Sequence, residues 1–520
     1  MSPILLWFGL LGLLPVIWLL WPGADLWFSR VERSLGRFAR RKRAVVLATF
    51  VVAIGVRVLL LPVARVPVPE VHDEFSYLLQ ADTFAHGRLT NPPHPMWIYL
   101  DTFHVLQRPT YASIFPPAQG AILALGKLLG HPWIGVLLSS AAMCAALAWM
   151  LQGWLPPQWA MVGATLVMLR IHFFSYWLES YWGGAMAALG GALVLGALPR
   201  VMKSRRTRDA VLMAVGVAVL ANSRSLEGFI FCVPIAVYLM FWLVSERSPA
   251  LSVTGPKLIL PMALVLGATF AFILYDNWRV TTNPFLLPHA LYDREYINYR
   301  VFRWQHIKPP FQYLNPQFDD YFNHWVRETF APSWHLLWEE LAGWWLFFVD
   351  VLYAVVLLDL PRTVRDRRTR FALILFMWCA LGLLLPFTFE PHYAAPMTAA
   401  FVILLVQCFR HLRRWRFRGR PVGIFLTRLV ILLAIVRISL FTIQAYRLPR
   451  LDWSIYRERM VQQLEHKPGK HLVIVRYEPD HYVRSRHRRR QGGVGPGDSQ
   501  SQYDSSARLF SRSSSLARRG

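Results

Sequence analysis

The sequence predicts an all-α polytopic membrane protein, a bundle of about twelve transmembrane helices, and three observations predict it. Of 520 residues, 55% are hydrophobic and only 17% charged, where a soluble globular chain carries about one-quarter charged residues. Mean hydropathy is +0.34, with 22 Trp and 33 Phe. The +26 net charge sits in clusters between apolar runs. Arg30 to Arg43, Arg200 to Arg208, Arg362 to Arg370 and Arg410 to Arg420 each abut a run of spanning length. That is the pattern of cytoplasmic loops under the positive-inside rule, and it excludes nucleic acid as the reason for the charge.

The expected spans are roughly 3–22, 44–63, 132–152, 158–176, 183–199, 210–225, 228–245, 258–276, 336–358, 371–388, 392–409 and 424–443, each near the ~20 residues that cross ~30 Å of hydrocarbon. The first is expected to stay, because no basic segment precedes it and no small-residue cleavage site follows. The run Pro116 to Gly130 is shorter, opens with two prolines and contains Lys127. Counting it as a span would move the Arg200 and Arg362 clusters outside, so it reads as a juxtamembrane helix in the outer interface. With the amino terminus outside, all four clusters are cytoplasmic. The four cysteines (Cys144, Cys232, Cys379, Cys408) lie in apolar runs and read as small core residues.

Two long segments, 64–131 and 277–335, then fall on the external face, where function concentrates. In the first, a proline pair gives way to the helix-compatible His72-Asp73-Glu74-Phe75-Ser76-Tyr77. Asp73, Ser76, Tyr77 and Gln80 share one face at helical spacing, and Phe75, Leu78 and Leu79 another. A carboxylate pair there is either a helix-capping device or a pair of catalytic groups.

With Ala81, Gly87 and Phe115-Pro116-Pro117-Ala118-Gln119-Gly120, these residues resemble the GT-C superfamily of polyprenyl-phosphate-sugar-dependent glycosyltransferases. The likeness is to its protein O-mannosyltransferase, aminoarabinose transferase and RgtA/B/C/D-like branch, over roughly residues 44–410. The resemblance implies an inverting transfer, metal-independent or weakly metal-dependent, from a lipid-phosphate sugar to a hydroxyl or amine of a glycan, lipid or protein acceptor. It would take place on the external, periplasmic face of a bacterial inner membrane. Such a displacement needs a base, a site for the departing phosphate and a route for the membrane-embedded donor. Asp73 or Glu74 would be the base, Asp73 by preference because it shares the polar face. His72, directly before the pair, departs from the family pattern and either tunes the carboxylate or packs.

His94 and His104 join His72 and Tyr77 as candidate substrate-binding residues, and His72, Asp73 and His94 form a candidate divalent-metal set. Trp97 and Tyr99 would stack on a sugar or anchor in the interface. Three turns complete the candidate site through Glu179, through Arg224 with Glu227, and through His392. Arg224 suits a donor phosphate unless Glu227 neutralises it; Arg57 is a second phosphate ligand or a snorkelling residue. The aromatic second segment, rich in arginine, would cover the site, with Asp319-Asp320 a solvated turn.

The domain expectation is therefore 1–443 for the membrane domain and 444–481 for an external linker with the beginning of a small, incomplete domain, including a strand at 471–477. Residues 482–520 are an Arg/Ser/Gly-rich tail, either genuinely disordered or the product of a frame change. Two other classes stay open: a lipid-linked sugar flippase or secondary transporter, and a lipid-linked glycan polymerase or ligase.

Overall fold

A computed structural model describes residues 14–173, 175–245, 250–326, 334–447, 453–469, 471 and 473. It is almost wholly helical, with one two-residue hairpin. The elements are α1 (Leu14–Ala39), α2 (Lys42–Leu59), α3 (His72–Ala85), β1 (Val105–Leu106), β2 (Ala112–Ser113), α4 (Pro117–Leu128), α5 (Pro132–Trp154), α6 (Pro157–Val167), α7 (Ala185–Ser204), α8 (Thr207–Ala221) and α9 (Ser225–Leu243). They continue with α10 (Leu251–Thr281), α11 (Pro288–Glu295), α12 (Trp334–Phe348), α13 (Asp350–Arg365), α14 (Arg370–Gly382), α15 (Thr398–Leu412), α16 (Val422–Arg447) and α17 (Trp453–Glu465). Among the described residues, α5, α7, α9, α10 and Val422–Ser439 of α16 are long and apolar enough to cross a membrane. The pair α12 and α13 brings these to six if it counts as one span, so the chain passes through a membrane several times.

The core lies where α5, α7 and α15 meet. Ala185, Ala187, Ala188 and Ala192 of α7 are buried, and side chains this small allow the close helix approach on which packing in lipid relies. Cys144, Cys379 and Cys408 are buried and all four cysteines are free thiols.

The four basic clusters come together at one end of the bundle. Arg413 pairs with Glu32 at 2.8 Å and His411 with Asp366 at 3.3 Å. Gln152 Nε2 donates to the carbonyl of Lys42 at 2.9 Å, and Arg200 Nη2 donates to the carbonyl of Trp149 at 2.7 Å.

The expected span 336–358 differs. It breaks at Val349–Asp350 with an 80° bend, because Asp350 adopts φ +59°, a region costly for a residue with a Cβ. Its carboxylate is held by Arg437 and lies 4.0 Å from Arg170. The chain also forms α17, absent from the sequence expectation, while the expected strand 471–477 lies outside the described residues except at 471 and 473, as does the tail 482–520.

The described residues 309–326 belong to a second unit. In its described part, a helical turn over 316–326 carries Asn323, whose Nδ2 donates to Asp319 Oδ1 and to the carbonyl of Phe311. Asp319 thus serves a turn.

Candidate active site

The centre of the site is the first turn of α3. Glu74 is 3% exposed and folds back on the chain that enters the helix. Its Oε2 accepts from the backbone N–H groups of Glu70 (2.7 Å) and Val71 (3.0 Å), and its Oε1 from that of Tyr181 (2.9 Å). Burial pushes the Glu74 carboxyl above its usual range, and these three donors oppose the shift. Glu74 therefore orients the segment. Asp73, one residue earlier, remains partly exposed, with its Oδ1 3.7 Å from His104 Nδ1.

The shared face expected for Ser76, Tyr77 and Gln80 exists and is buried, whereas Phe75, Leu78 and Leu79 are only half-buried. The polar side chains point inward because each meets a loop carbonyl or hydroxyl there. Ser76 Oγ donates to the carbonyl of His104 at 2.6 Å and lies 2.7 Å from Ser113 Oγ. Gln80 Nε2 donates to the carbonyl of Phe115 at 2.7 Å. Gly120 makes room for it, since a Cβ there would lie 2.2 Å from Gln80 Oε1. The motif Phe115 to Gly120 thus acts as a splice, with Gln119 Nε2 donating to the carbonyl of Tyr181 and Ala118 N–H to that of Asn222.

Tyr77 stacks on Phe115 at 4.4 Å, and His104 lies 5.7 Å from Phe115 and 6.0 Å from Tyr292. Burial holds the Tyr77 phenol above its usual range; the Arg224 charge opposes this and those of Asp73 and Glu227 reinforce it. Asp73, Tyr77, Arg224 and Glu227 are therefore electrostatic neighbours. Arg224 lies 3.9 Å from Glu227 and stacks its guanidinium over Tyr393 at 4.2 Å. At 3.9 Å the ion pair leaves donor capacity on Arg224 for an anion. Beside it, Glu227, Ile230, Leu383, Tyr393 and Met397 line a narrow crevice.

Other expected residues are placed elsewhere. Glu179 is consumed by Arg57, which is 1% exposed and donates from Nε to Glu179 Oε1 at 3.0 Å and from Nη2 to Oε2 at 3.2 Å. Its Nη1 donates to the carbonyl of Ala64 at 2.7 Å, so Arg57 neither snorkels nor presents itself to a phosphate. His392 is enclosed, sharing a 3.0 Å hydrogen bond with the Tyr176 hydroxyl and packing on Trp182 at 4.6 Å. His72 packs on Phe103 at 4.4 Å, which favours packing over tuning. His94 is exposed and accepts from its neighbour Met96 N–H. Among the described residues no three His, Cys, Asp or Glu side chains are grouped to hold a metal ion, so His72, Asp73 and His94 do not form the expected ligand set and no step is routed through a metal.

The sequence reading missed His289 and Asp293 of α11, whose charges reach His104, and Tyr393 beneath Arg224. Tyr393 adjoins the singled-out His392; the α11 pair carried only its i, i+4 spacing as a signal.

No protein-family model matches the chain, and no curated protein matches it. The structure is similar to that of ArnT from Cupriavidus metallidurans bound to undecaprenyl phosphate, at 16% identity and a TM-score of 0.40, covering 77% of this chain and 63% of that one. It is also similar to the archaeal oligosaccharyltransferase AglB from Archaeoglobus fulgidus in complex with an inhibitory peptide and a dolichol-phosphate, at 13% identity and a TM-score of 0.44, covering 81% of this chain and 58% of that one. The apo form of the Archaeoglobus fulgidus oligosaccharyltransferase is similar at 12% identity and 0.44, covering 82% and 58%. The chain spans 58 to 63% of the length of these structures.

Proposed function

We propose that the chain is a GT-C-type glycosyltransferase that moves a sugar, hexosyl or pentosyl, from a polyprenyl-phosphate donor to an acceptor hydroxyl or amine. The observation that carries the reading is the division of labour in α3: Glu74 is used up by three backbone donors, while Asp73 keeps an accessible carboxylate beside the partly exposed Arg224 and the aromatic wall of Tyr77, Phe115 and Tyr393. In the reaction the acceptor oxygen bonds to the anomeric carbon, and its proton passes to Asp73. The bond from that carbon to the phosphate oxygen breaks, and the phosphate leaves with the electron pair, met by Arg224. The prenyl chain has the apolar wall of Ile230, Leu383 and Met397 beside it.

In this reading residues 1–443 form a membrane domain of about twelve spans in a bacterial inner membrane. Segments 64–131 and 277–335 are external, and the basic clusters are cytoplasmic. Residues 444–481 follow as an external region and 482–520 as a tail. The test is sugar transfer in membranes carrying a polyprenyl-phosphate sugar pool, with variants at matched protein level. Asp73→Asn is expected to lose ~10²–10⁴ of the rate, with its fold intact, and Arg224→Ala to weaken donor use. Transfer at the wild-type rate by Asp73→Asn would remove Asp73 from the role.

One observation favours the carrier alternative: the broken pair α12 and α13, whose Asp350 meets Arg170 and Arg437 among apolar helices, resembles the interrupted helices and intramembrane charges of transporters. Transfer by the purified protein in detergent decides against it; transport without transfer decides for it.

A further inference from the structure

His104 is held in an unusual way. Its φ is +60°, its N–H donates to the Tyr292 hydroxyl at 3.1 Å, and its carbonyl accepts from Ser76 Oγ at 2.6 Å and from Ile114 N–H at 3.3 Å. Three elements thus fix a backbone conformation that costs free energy for a residue with a Cβ. The result is a ring whose Nδ1 is buried, has no hydrogen-bond partner among the described residues, and lies 3.7 Å from Asp73 Oδ1. A buried polar atom left unpaired is costly in a resting protein. It costs nothing at the moment when the neighbouring carboxyl carries a proton to donate.

We propose that His104 is the proton-accepting partner of Asp73, taking at Nδ1 the proton that Asp73 removes from the acceptor. The inference rests on the glycosyl-transfer reading and adds the next proton step. Asp73 gains the acceptor's proton as the new C–O bond forms. It then passes that proton to Nδ1, and the imidazolium releases its other ring proton from Nε2 to solvent; uptake of a solvent proton at Nε2 with loss of the one at Nδ1 returns the ring to its accepting tautomer before the next turnover. A carboxylic acid is a poor resting place for a proton near neutrality, whereas imidazole is a good one. The groups facing His104 are Asp73 from α3, His289 and Asp293 from α11, and the His72 ring at 6.4 Å. Burial holds His104 below its ordinary value and His289 adds to that, while Asp73 and Asp293 oppose it, so the ring rests neutral and able to accept.

The experiment uses the full chain in lipid nanodiscs with two readouts. The first is the titration of ¹⁵N-histidine signals, with His104 assigned by its loss in His104→Asn, a residue that tolerates the left-handed backbone. Asp73→Asn is expected to lower the His104 midpoint by about 1 pH unit, and an unchanged midpoint overturns the coupling whether or not the protein transfers sugar. The second is the acid limb of the transfer rate, expected to steepen toward two protons in the wild type and one in His104→Asn. His104→Gly, compatible with the same backbone, is expected to regain at least part of its rate with added imidazole. A lowered rate with unchanged steepness and no rescue means His104 only packs, and overturns the proposal. A wild-type chain that transfers nothing refutes the glycosyl-transfer reading, while the titration still decides the pair.

Discussion

Replacing Glu74 by Gln tests whether this carboxylate shapes the site or is the base that the proposed reaction needs. Glu74 Oε2 serves two N–H donors and Oε1 a third. An amide has one oxygen, so the cheaper of its two orientations keeps Glu70 and Val71 satisfied and sets the NH₂ group against Tyr181 N–H. One buried donor without an acceptor costs about 1–3 kcal/mol, and the two bonds that remain lose their charge assistance, which roughly halves them. Against this, the substitution removes the burial cost that raises the carboxyl's proton affinity. The balance is a destabilisation of about 2 kcal/mol, centred on the contact between the start of α3 and Tyr181. Thermal unfolding in detergent, with hydrogen exchange at residues 70–74 and 181, measures it. Glu74→Gln should unfold earlier and exchange faster there, with transfer reduced less than by Asp73→Asn. A Glu74→Gln protein as stable as the wild type but devoid of transfer would refute the reasoning and make Glu74 the base.

Arg57→Leu leaves the half-buried Glu179 carboxylate without its partner and should destabilise the fold by about 1–3 kcal/mol, whereas Arg57→Leu with Glu179→Leu should recover much of it; a single variant that melts like the wild type would return Arg57 to the ligand candidates. Asp101 is pushed up to about 6 by burial, with the Tyr296 hydroxyl hydrogen bond opposing the shift. A carboxyl with a raised folded-state value binds more protons folded than unfolded, so its contribution to stability is greatest below about pH 4 and is lost as pH rises to about 6. The protection of residues 97–104 against hydrogen exchange, with the intrinsic base-catalysed rise removed, should therefore fall over that interval in the wild type and not in Asp101→Asn. Equal profiles would show that Asp101 does not govern the segment.

What was legible in the sequence follows the range of the interactions involved. Apolar run length and clustered arginines are local signals, and they gave the helices and the common end that Glu32, Lys42, Arg200 and Arg413 share. The helix at His72 was legible from its spacing, but not that its polar face turns inward: Ser76 and Gln80 are satisfied by carbonyls of His104 and Phe115, distant in the chain. The same reach explains Glu179. Read alone it is a costly charge in a turn; only the fold shows that Arg57 answers it. The break at Asp350 was invisible because the residues that hold its carboxylate come from α6's continuation and from α16.

The unexpected helix α17 lays Arg457 over the ring of Phe75 at 4.4 Å, a residue of the same turn of α3 as Asp73. Chain growth runs from amino to carboxyl end, so α3 is made long before α17 exists. Until residue 457 has emerged and docked, the turn that carries Asp73 lacks one of its walls. The order of synthesis thus places this contact on the first turn of α3 last, after the intervening helices have been made, and a partly made chain holds that turn without it.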